Sequence, residues 1–402
     1  MLSVEDAGER ILAAFSELPA EQAPILQALG RTLAEDIVAT FPIPPLANSA
    51  MDGYAVRVED TRGASPESPR RLRIVSNLAA GYVSEASVQP GDAIRIMTGA
   101  PVPAGTEAVI QVELTEREAD DVLLHAEIAP GRNIREAGED VQEGQTVLRR
   151  GTRIRPAEVG VLASLGMDSV RCISRPRVGI LATGDELLEP GEPLAPGKIY
   201  NANAYSTAAQ VLEAGGEPVH LGIARDTRES LGAKIREAIE RGVDMLVSSG
   251  GVSVGDFDLV KDMLAAEGEI DFWQVNMKPG KPLAFGHLGG APMIGLPGNP
   301  VSSMISFELF GRPAIHKMLG RPPTPRPQVS ACMEDFYRKT DSRRHYIRVR
   351  VREENGEHRA RLTGEQGSGI LTSLTRANGH AVIPEESPDV RPGDYVTVWL
   401  LD

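Results

Sequence analysis

At 402 residues the chain is too long for one compact core, so about two to four domains are expected. Its formal net charge of −14 argues against a nucleic-acid partner, because neutralising phosphates needs a broad basic face. With 41 % apolar, 24 % charged and only 4 % aromatic residues, it has the composition of a globular protein whose cores lean on Val, Leu, Ile and Ala.

The amino terminus, MLSVEDAGERILAAF, is acidic and amphipathic, with Leu2, Val4, Ile11, Leu12, Phe15 and Leu18 recurring at roughly helical spacing. It lacks the basic, then apolar, start of a secretory signal, and no apolar run in the chain reaches membrane-spanning length. A cytoplasmic protein with no membrane partner is the expectation. A short second helix is expected over 25–33. The proline-rich FPIPPLANS at 41–49 marks a boundary. Beyond it, short β-type runs (RLRIVS, DAIRIM, EAVIQVE, VLLHAEI) alternate with Gly/Pro turns, which reads as a small all-β unit. Residues 141–173 return to mixed, partly helical character, with Pro156 suited to a helix start. They are expected to fold back on residues 1–40, leaving 41–140 as an insertion.

Residues 174–321 read most clearly. RVGILA, PVHLGIA, VDMLVSS and PMIGL are strands, and the stretches 203–214, 226–240, 259–266 and 301–319 are helices. Asp226, with Glu229 three residues on, looks like a capping-box start. Strands alternating with helices at these lengths predict a parallel, doubly wound α/β sheet. The linker RPPTPRP ends it, and RHYIRVRV, HAVIP and DYVTVWLL predict a terminal β domain over 322–402.

In such sheets ligands bind beyond the carboxyl ends of the strands. Three of those ends are glycine-rich: Thr183-Gly184-Asp185-Glu186, then Ser249-Gly250-Gly251-Val252-Ser253 running on to Asp258, then Pro297-Gly298-Asn299-Pro300. Glycine lets backbone approach a ligand closely, and free N–H groups at a following helix suit an anion. Carboxylates beside them suit Mg²⁺, which prefers oxygen ligands and substrate phosphates. Singly, each loop also reads as a turn or a helix cap. Three on one sheet favour a phosphate-plus-magnesium site. Lys278 and Lys281 bracket a Pro-Gly turn and supply local positive charge, although alone they read as surface lysines. Asp52 stands at an Asp-Gly turn, Thr98 beside a glycine turn, and Arg135 and Asp140 in one mixed-charge loop. The two cysteines, Cys172 and Cys332, are far apart, and the seven histidines form no HExxH, so a disulfide framework, an iron–sulfur site and a zinc hydrolase lack support.

SAMDGYA, IMTGAPVPAGTEAVI, NIREAGEDV, ATGDEL, SSGGVSVGDFD, KPGKP and LPGNPVS occur in that order over residues 49–303. Together they resemble the MoeA family, whose animal relative is the C-terminal domain of gephyrin. TGDEL, GGVSVG and PGNP are shared with the smaller MogA-like proteins that adenylylate the pterin; SAMDGYA, GEDV and the added β domains separate the longer family. The resemblance implies an elongated helical dimerisation domain (1–40 plus 141–173), an inserted β domain (41–140), a MogA-like α/β molybdopterin-binding domain (174–321) and a C-terminal β barrel (322–402). It implies a homodimer whose cleft lies between one subunit's inserted domain and the other's α/β domain. The implied reaction inserts molybdate into adenylylated molybdopterin, with Mg²⁺ assisting, and releases AMP and molybdenum cofactor; other molybdenum cofactor synthesis proteins are implied partners. By motif, the implied catalytic residues are Asp52, Asp140, Glu186, Asp226 and Asp258. Glu186 and Asp258 are the implied Mg²⁺ ligands. The implied substrate-binding residues are Thr98, Arg135, Thr183, Gly250, Gly251, Ser253, Lys278, Lys281, Pro297 and Asn299. Gln274 stands where some relatives carry a basic residue, which puts more of the oxyanion binding on Lys278. Two rival readings remain: a molybdopterin adenylyltransferase using the same α/β domain, and a non-catalytic scaffold like gephyrin.

Overall fold

The computed structural model describes residues 1–250 and 270–401. Chain contacts divide it into two compact units: 1–22, 30–32 and 171–402 form one, and 23–29 with 33–170 the other.

The first unit is built on a six-stranded sheet in the order Glu217–Ala224, Arg177–Thr183, Met245–Ser249, Ala291–Leu296, Pro282–Leu288, Ile270–Gln274. The first four strands are parallel, as their apolar runs predict. The last two add an antiparallel edge that the αβ alternation does not announce. Strand Arg177–Thr183 is buried from Val178 to Thr183, because helices cover both faces. Val178, Ile180 and Ala182 face one core with the helix Ala202–Ala214; Leu181 faces the other with Arg228–Glu240. The expected helix 259–266 lies outside the described residues.

Four local features differ from expectation. The helix Val4–Ala13, capped by the Ser3 hydroxyl accepting from Asp6 N–H at 3.0 Å, buries Val4, Ala7 and Ile11 in the sheet's own core with Phe307 and Met318. The helix therefore belongs with the α/β layer rather than with 141–173, whereas Ala20–Pro24 pairs with Ser169–Ile173, as the expected fold-back requires. The stretch 25–33 makes a single turn, with Ala28 N–H donating to Pro24 C=O, and stops at Gly30, whose φ is +76°. The helix expected at 226–240 begins after Thr227, whose hydroxyl accepts from Ser230 N–H at 3.2 Å, so Asp226 is not its cap. The helix over 300–318 is in two parts, Pro300–Ser306 and Arg312–Met318, joined by a π turn at Phe307–Gly311.

The terminal β domain is a closed barrel of five strands. Arg344–Glu354 pairs with Glu357–Leu362, then follow Gln328–Met333, Tyr395–Leu400 and Gly379–Ile383, which pairs back to the first. Ala331, Ile347, Val349, Ala381 and Val398 fill it. The short strand Met277–Lys278 runs parallel to Arg344–His345, which fastens the KPGKP turn to the barrel.

The second unit holds a six-stranded sheet in the order Ala108–Gln111, Gly53–Val56, Asp92–Ile96, Arg70–Leu78, Asp121–Leu124, Thr115–Glu118. The expected β runs form its strands. Only Arg70–Leu78 with Asp92–Ile96 is a parallel pair. Gly53 is required where its strand starts, since any Cβ would collide with the Ile110 carbonyl. Ile37–Val38 pairs with Thr146–Leu148, and a helix, Pro156–Ser164, starts at the expected proline. Among the described residues no helix is long and apolar enough to cross a membrane.

Candidate functional site

The parallel strands bring two of the glycine-rich ends and the start of the third together. Ala182 is level with Ser249, and Ser249 with Leu296, so Thr183, Gly250 and Pro297 leave the sheet side by side. Gly250 N–H donates to Leu296 C=O at 3.1 Å. Its φ is +91°, and a Cβ there would sit 3.0 Å from the Thr183 carbonyl oxygen, so a side chain is strained on both counts. Asn203 Nδ2 donates to Gly298 C=O at 2.8 Å and ties the third loop to a helix start. These loops enclose a cavity of about 200 Å³ lined by Thr183, Glu186, Ser249, Gly250, Gly298 and Asn299.

Glu186 is exposed and folds its carboxylate back over Gly184. It caps no helix: Leu187–Leu188 is a short strand pairing with Ile199–Tyr200, and Ile199 N–H donates to Glu186 C=O at 2.9 Å. Asp226, released from capping, accepts from Asp185 N–H at 3.3 Å, while Arg225 lies 3.7 Å from the Asp185 carboxylate. Among the described residues no three His, Cys, Asp or Glu side chains form a metal cluster. One carboxylate beside Thr183 and Asn299 nonetheless suits Mg²⁺, which commonly takes one or two protein carboxylates, with waters and substrate phosphates completing its shell. Gly251, Ser253 and Asp258 lie outside the described residues.

Asn299 also lines a second cavity, of about 440 Å³, and this one is cationic. Lys278 and Lys281 reach it from the KPGKP turn, and Arg343 and Arg348 from the barrel. Ile347, Val349 and Val351 face the barrel core, leaving Tyr346 and Arg348 on the opposite face, where both are buried. Arg348 Nε donates to Ser373 Oγ at 3.0 Å, and a terminal nitrogen donates to Gly367 C=O at 3.1 Å. It has no carboxylate partner among the described residues. Burial pushes its pKa down to about 10, so it stays charged near neutrality. A buried guanidinium balanced only by neutral acceptors favours an incoming anion. The sequence motifs contain the two lysines and Ser302 but neither arginine, nor Tyr337 and Ser368, which also line this cavity. The one hint in the chain is an arginine on a strand whose neighbours alternate as a β core requires.

The remaining predicted residues lie in the second unit. Thr98 N–H and Thr98 Oγ1 both donate to Asp52 Oδ1 at 2.7 Å, and these two bonds hold the Asp52 carboxyl below its ordinary range. Ala50 N–H donates to Asn133 C=O at 2.9 Å, and Arg135 pairs with Asn48 across a short ladder. Asp52, Thr98 and Arg135 thus sit on segments stitched to one another. Asp140 stands apart on the neighbouring turn, its N–H donating to Ile43 C=O at 3.0 Å.

Family models match most of this chain: the MoeA N-terminal region (domain I and II) over residues 2–166, the probable molybdopterin binding domain over 179–317, and the MoeA C-terminal region (domain IV) over 331–401. A Mycobacterium tuberculosis protein named molybdopterin molybdenumtransferase 2 is 39 % identical over 388 residues, covering 94 % of each chain. A Bacillus subtilis molybdopterin molybdenumtransferase is 36 % identical over 406 residues, covering 100 % of this chain and 94 % of its own. The crystal structure of a molybdopterin biosynthesis MoeA protein from Pyrococcus horikoshii superposes with a TM-score of 0.84 at 33 % identity, covering 100 % of this chain and 99 % of that one. Matched over nearly its whole length by sequence and by fold, the chain belongs to the MoeA family.

Proposed function

We propose that this chain is a molybdopterin molybdenumtransferase, which inserts molybdate into adenylylated molybdopterin and releases AMP and molybdenum cofactor. The observation that carries the reading is the pair of cavities sharing Asn299, one glycine-lined with a carboxylate, the other lined by four cationic side chains. The first suits a nucleotide-linked phosphate: its loops present backbone rather than bulk, and Thr183 adds a hydroxyl. The second suits a tetrahedral dianion with no other handle, because Lys278, Lys281, Arg343 and Arg348 gather positive charge at one place in a protein of net charge −14. The dithiolene sulfurs belong to the pterin, so two scattered cysteines are no obstacle. Glu186, with Asp258, would hold Mg²⁺, which would supply Lewis-acid stabilisation of the phosphate charge. Asn299, on the wall common to both cavities, orients whatever spans them.

The protein works as a cytoplasmic homodimer in this reading. Asp52, Thr98, Arg135 and Asp140 of one subunit complete the site on the α/β domain of the other, and other molybdenum cofactor synthesis proteins deliver the pterin nucleotide. The deciding experiment supplies purified protein with adenylylated molybdopterin, with and without molybdate or tungstate. AMP release only with an oxyanion is expected. Adenylylation of molybdopterin from ATP in the absence of molybdate would point instead to an adenylyltransferase. Inactive Asp140→Ala and Glu186→Ala chains mixed as verified heterodimers should regain part of the activity, and no recovery would count against a shared site.

A further inference from the structure

Lys278 and Arg343, on the rim of the cationic cavity, already share one carboxylate. Lys278 Nζ lies 3.5 Å from Asp341 Oδ2 and donates to the Thr340 hydroxyl. The Arg343 guanidinium closes on both Asp341 oxygens, Nε to Oδ1 at 2.9 Å and a terminal nitrogen to Oδ2 at 2.7 Å. Asp341 is also fixed from behind. Arg343 N–H donates to Oδ1 at 3.1 Å, and fully buried His345 places Nε2 3.0 Å from the same oxygen.

The proton assignment follows from this geometry. Arg343 holds the Asp341 carboxyl far below the usual carboxylate range, so it only accepts and His345 Nε2 carries the hydrogen. Burial pushes the His345 pKa down and keeps the ring neutral, although its bond to Asp341 pulls the other way. Nδ1 therefore has no hydrogen and accepts from the Tyr337 hydroxyl at 2.8 Å. Asp341 is thus anchored by a guanidinium, a backbone N–H and an imidazole of fixed tautomer. Lys278 is the loosest of its partners, an ammonium on a flexible four-carbon stem at the longest distance.

We infer that Asp341 is a resident counter-anion of the cationic cavity, a specificity-determining residue from which an incoming oxyanion must take Lys278. The inference rests on reading that cavity as the oxyanion site. A dianion offers Lys278 twice the charge of Asp341 and wins the exchange. A monoanion offers no more than the carboxylate already in place, so it is discriminated against by charge before shape is considered.

The test is calorimetric titration of molybdate, alone and against nitrate as a monoanionic competitor, into wild type, Asp341→Asn and Lys278→Met. Asparagine keeps the carboxylate's shape and an oxygen for His345 but gives up the charge. Asp341→Asn should bind molybdate about tenfold tighter or more, and nitrate should compete at correspondingly lower concentration. A folding defect does not produce a gain in affinity. Unchanged or weaker molybdate binding in Asp341→Asn protein with a wild-type melting profile overturns the counter-anion role. If that variant fails to fold, Asp341→Ser removes the same charge and is read the same way. Lys278→Met should weaken molybdate binding about tenfold or more. Unchanged binding there overturns the assignment of the cavity itself, whatever Asp341→Asn does.

Discussion

The two cavities that meet at Asn299 are built by opposite means. Around Glu186 the walls come from strand-end loops and the segment from Ile199 to Asn203, and the carboxylate is exposed and folded back over Gly184. Around Lys278 the walls are long charged side chains, two of them tied to Asp341 and a third, Arg348, buried against carbonyls. Backbone N–H groups bind phosphate without carrying net charge, so in the proposed reading the first cavity needs no counter-ions and leaves its carboxylate open to a cation. A free oxyanion has no attached group to hold it, so the second must supply full charges, and those charges must be balanced within the fold when they are partly buried. One cavity is therefore sensitive to backbone shape and the other to charge.

Substitutions made on each side separately test that contrast. The largest effect is expected from Glu186→Gln, which keeps shape and removes the charge a hard cation needs. AMP release in a single turnover should fall about a hundredfold or more while the pterin nucleotide, followed by mass spectrometry, stays bound. Asp258→Asn should behave alike. Wild-type rates in both would remove these carboxylates from the chemistry. Next comes Gly250→Ala, where positive φ and the nearby Thr183 carbonyl oppose any side chain. Strain there costs of order 1–3 kcal/mol, read by urea unfolding, and nucleotide binding should weaken while molybdate binding holds. Loss of molybdate binding as well would mean that the two cavities are not separable. Lys281→Met is the milder counterpart: no ion pair holds Lys281 among the described residues, so little else is disturbed. The KM for molybdate should rise about tenfold with the KM for the pterin nucleotide unchanged. A rise in both would assign the lysine to the nucleotide side.

The same contrast explains which parts of the molecule are legible in the sequence. The first cavity is made of consecutive residues at strand ends, so Thr183 to Glu186, Gly250 and Pro297 to Asn299 are visible as motifs. The second is assembled from 278–282, 299–302, 337–348 and 366–368, and no local pattern announces that Arg348 will meet Lys281. The barrel's strands are legible but its closure is not. Closure depends on the 11-residue strand Arg344–Glu354 being long enough to pair with Glu357–Leu362 along one part and with Gly379–Ile383 along another. For Val4–Ala13 the apolar stripe is plain, but a stripe states only that something covers it, and the covering is the α/β core. In Asp226-Thr227 two good capping residues are adjacent, and sequence cannot choose between them. Taking the cap with Thr227 leaves the Asp226 carboxylate to the TGDEL loop.

The smallest expected effect lies on the barrel strand directly opposite Arg348. His380 is its cross-strand partner, is almost fully buried, and leaves Nδ1 without a partner among the described residues. Burial, with the neighbouring Arg348 charge adding to it, pushes the His380 pKa down to about 4, well below its value in an unfolded chain. Between about pH 6.5 and pH 4 the unfolded chain therefore binds a proton that the folded barrel refuses. Stability is lost as pH falls through that window and is fully present above it. Below about pH 4 the loss is complete and no further change arises from this group. His380→Gln, which cannot take up a proton, should flatten the acid-side decline in barrel stability, read as hydrogen exchange of the Gly379–Ile383 strand at pH 4.5 relative to pH 7. Because Arg348 contributes to keeping the imidazole neutral, Arg348→Met should raise the His380 pKa and shift the decline in the same direction by a smaller amount. If the decline is as steep in His380→Gln as in wild type, another group sets the acid limit of the barrel. The buried charge of Arg348 would then be felt only inside its own cavity.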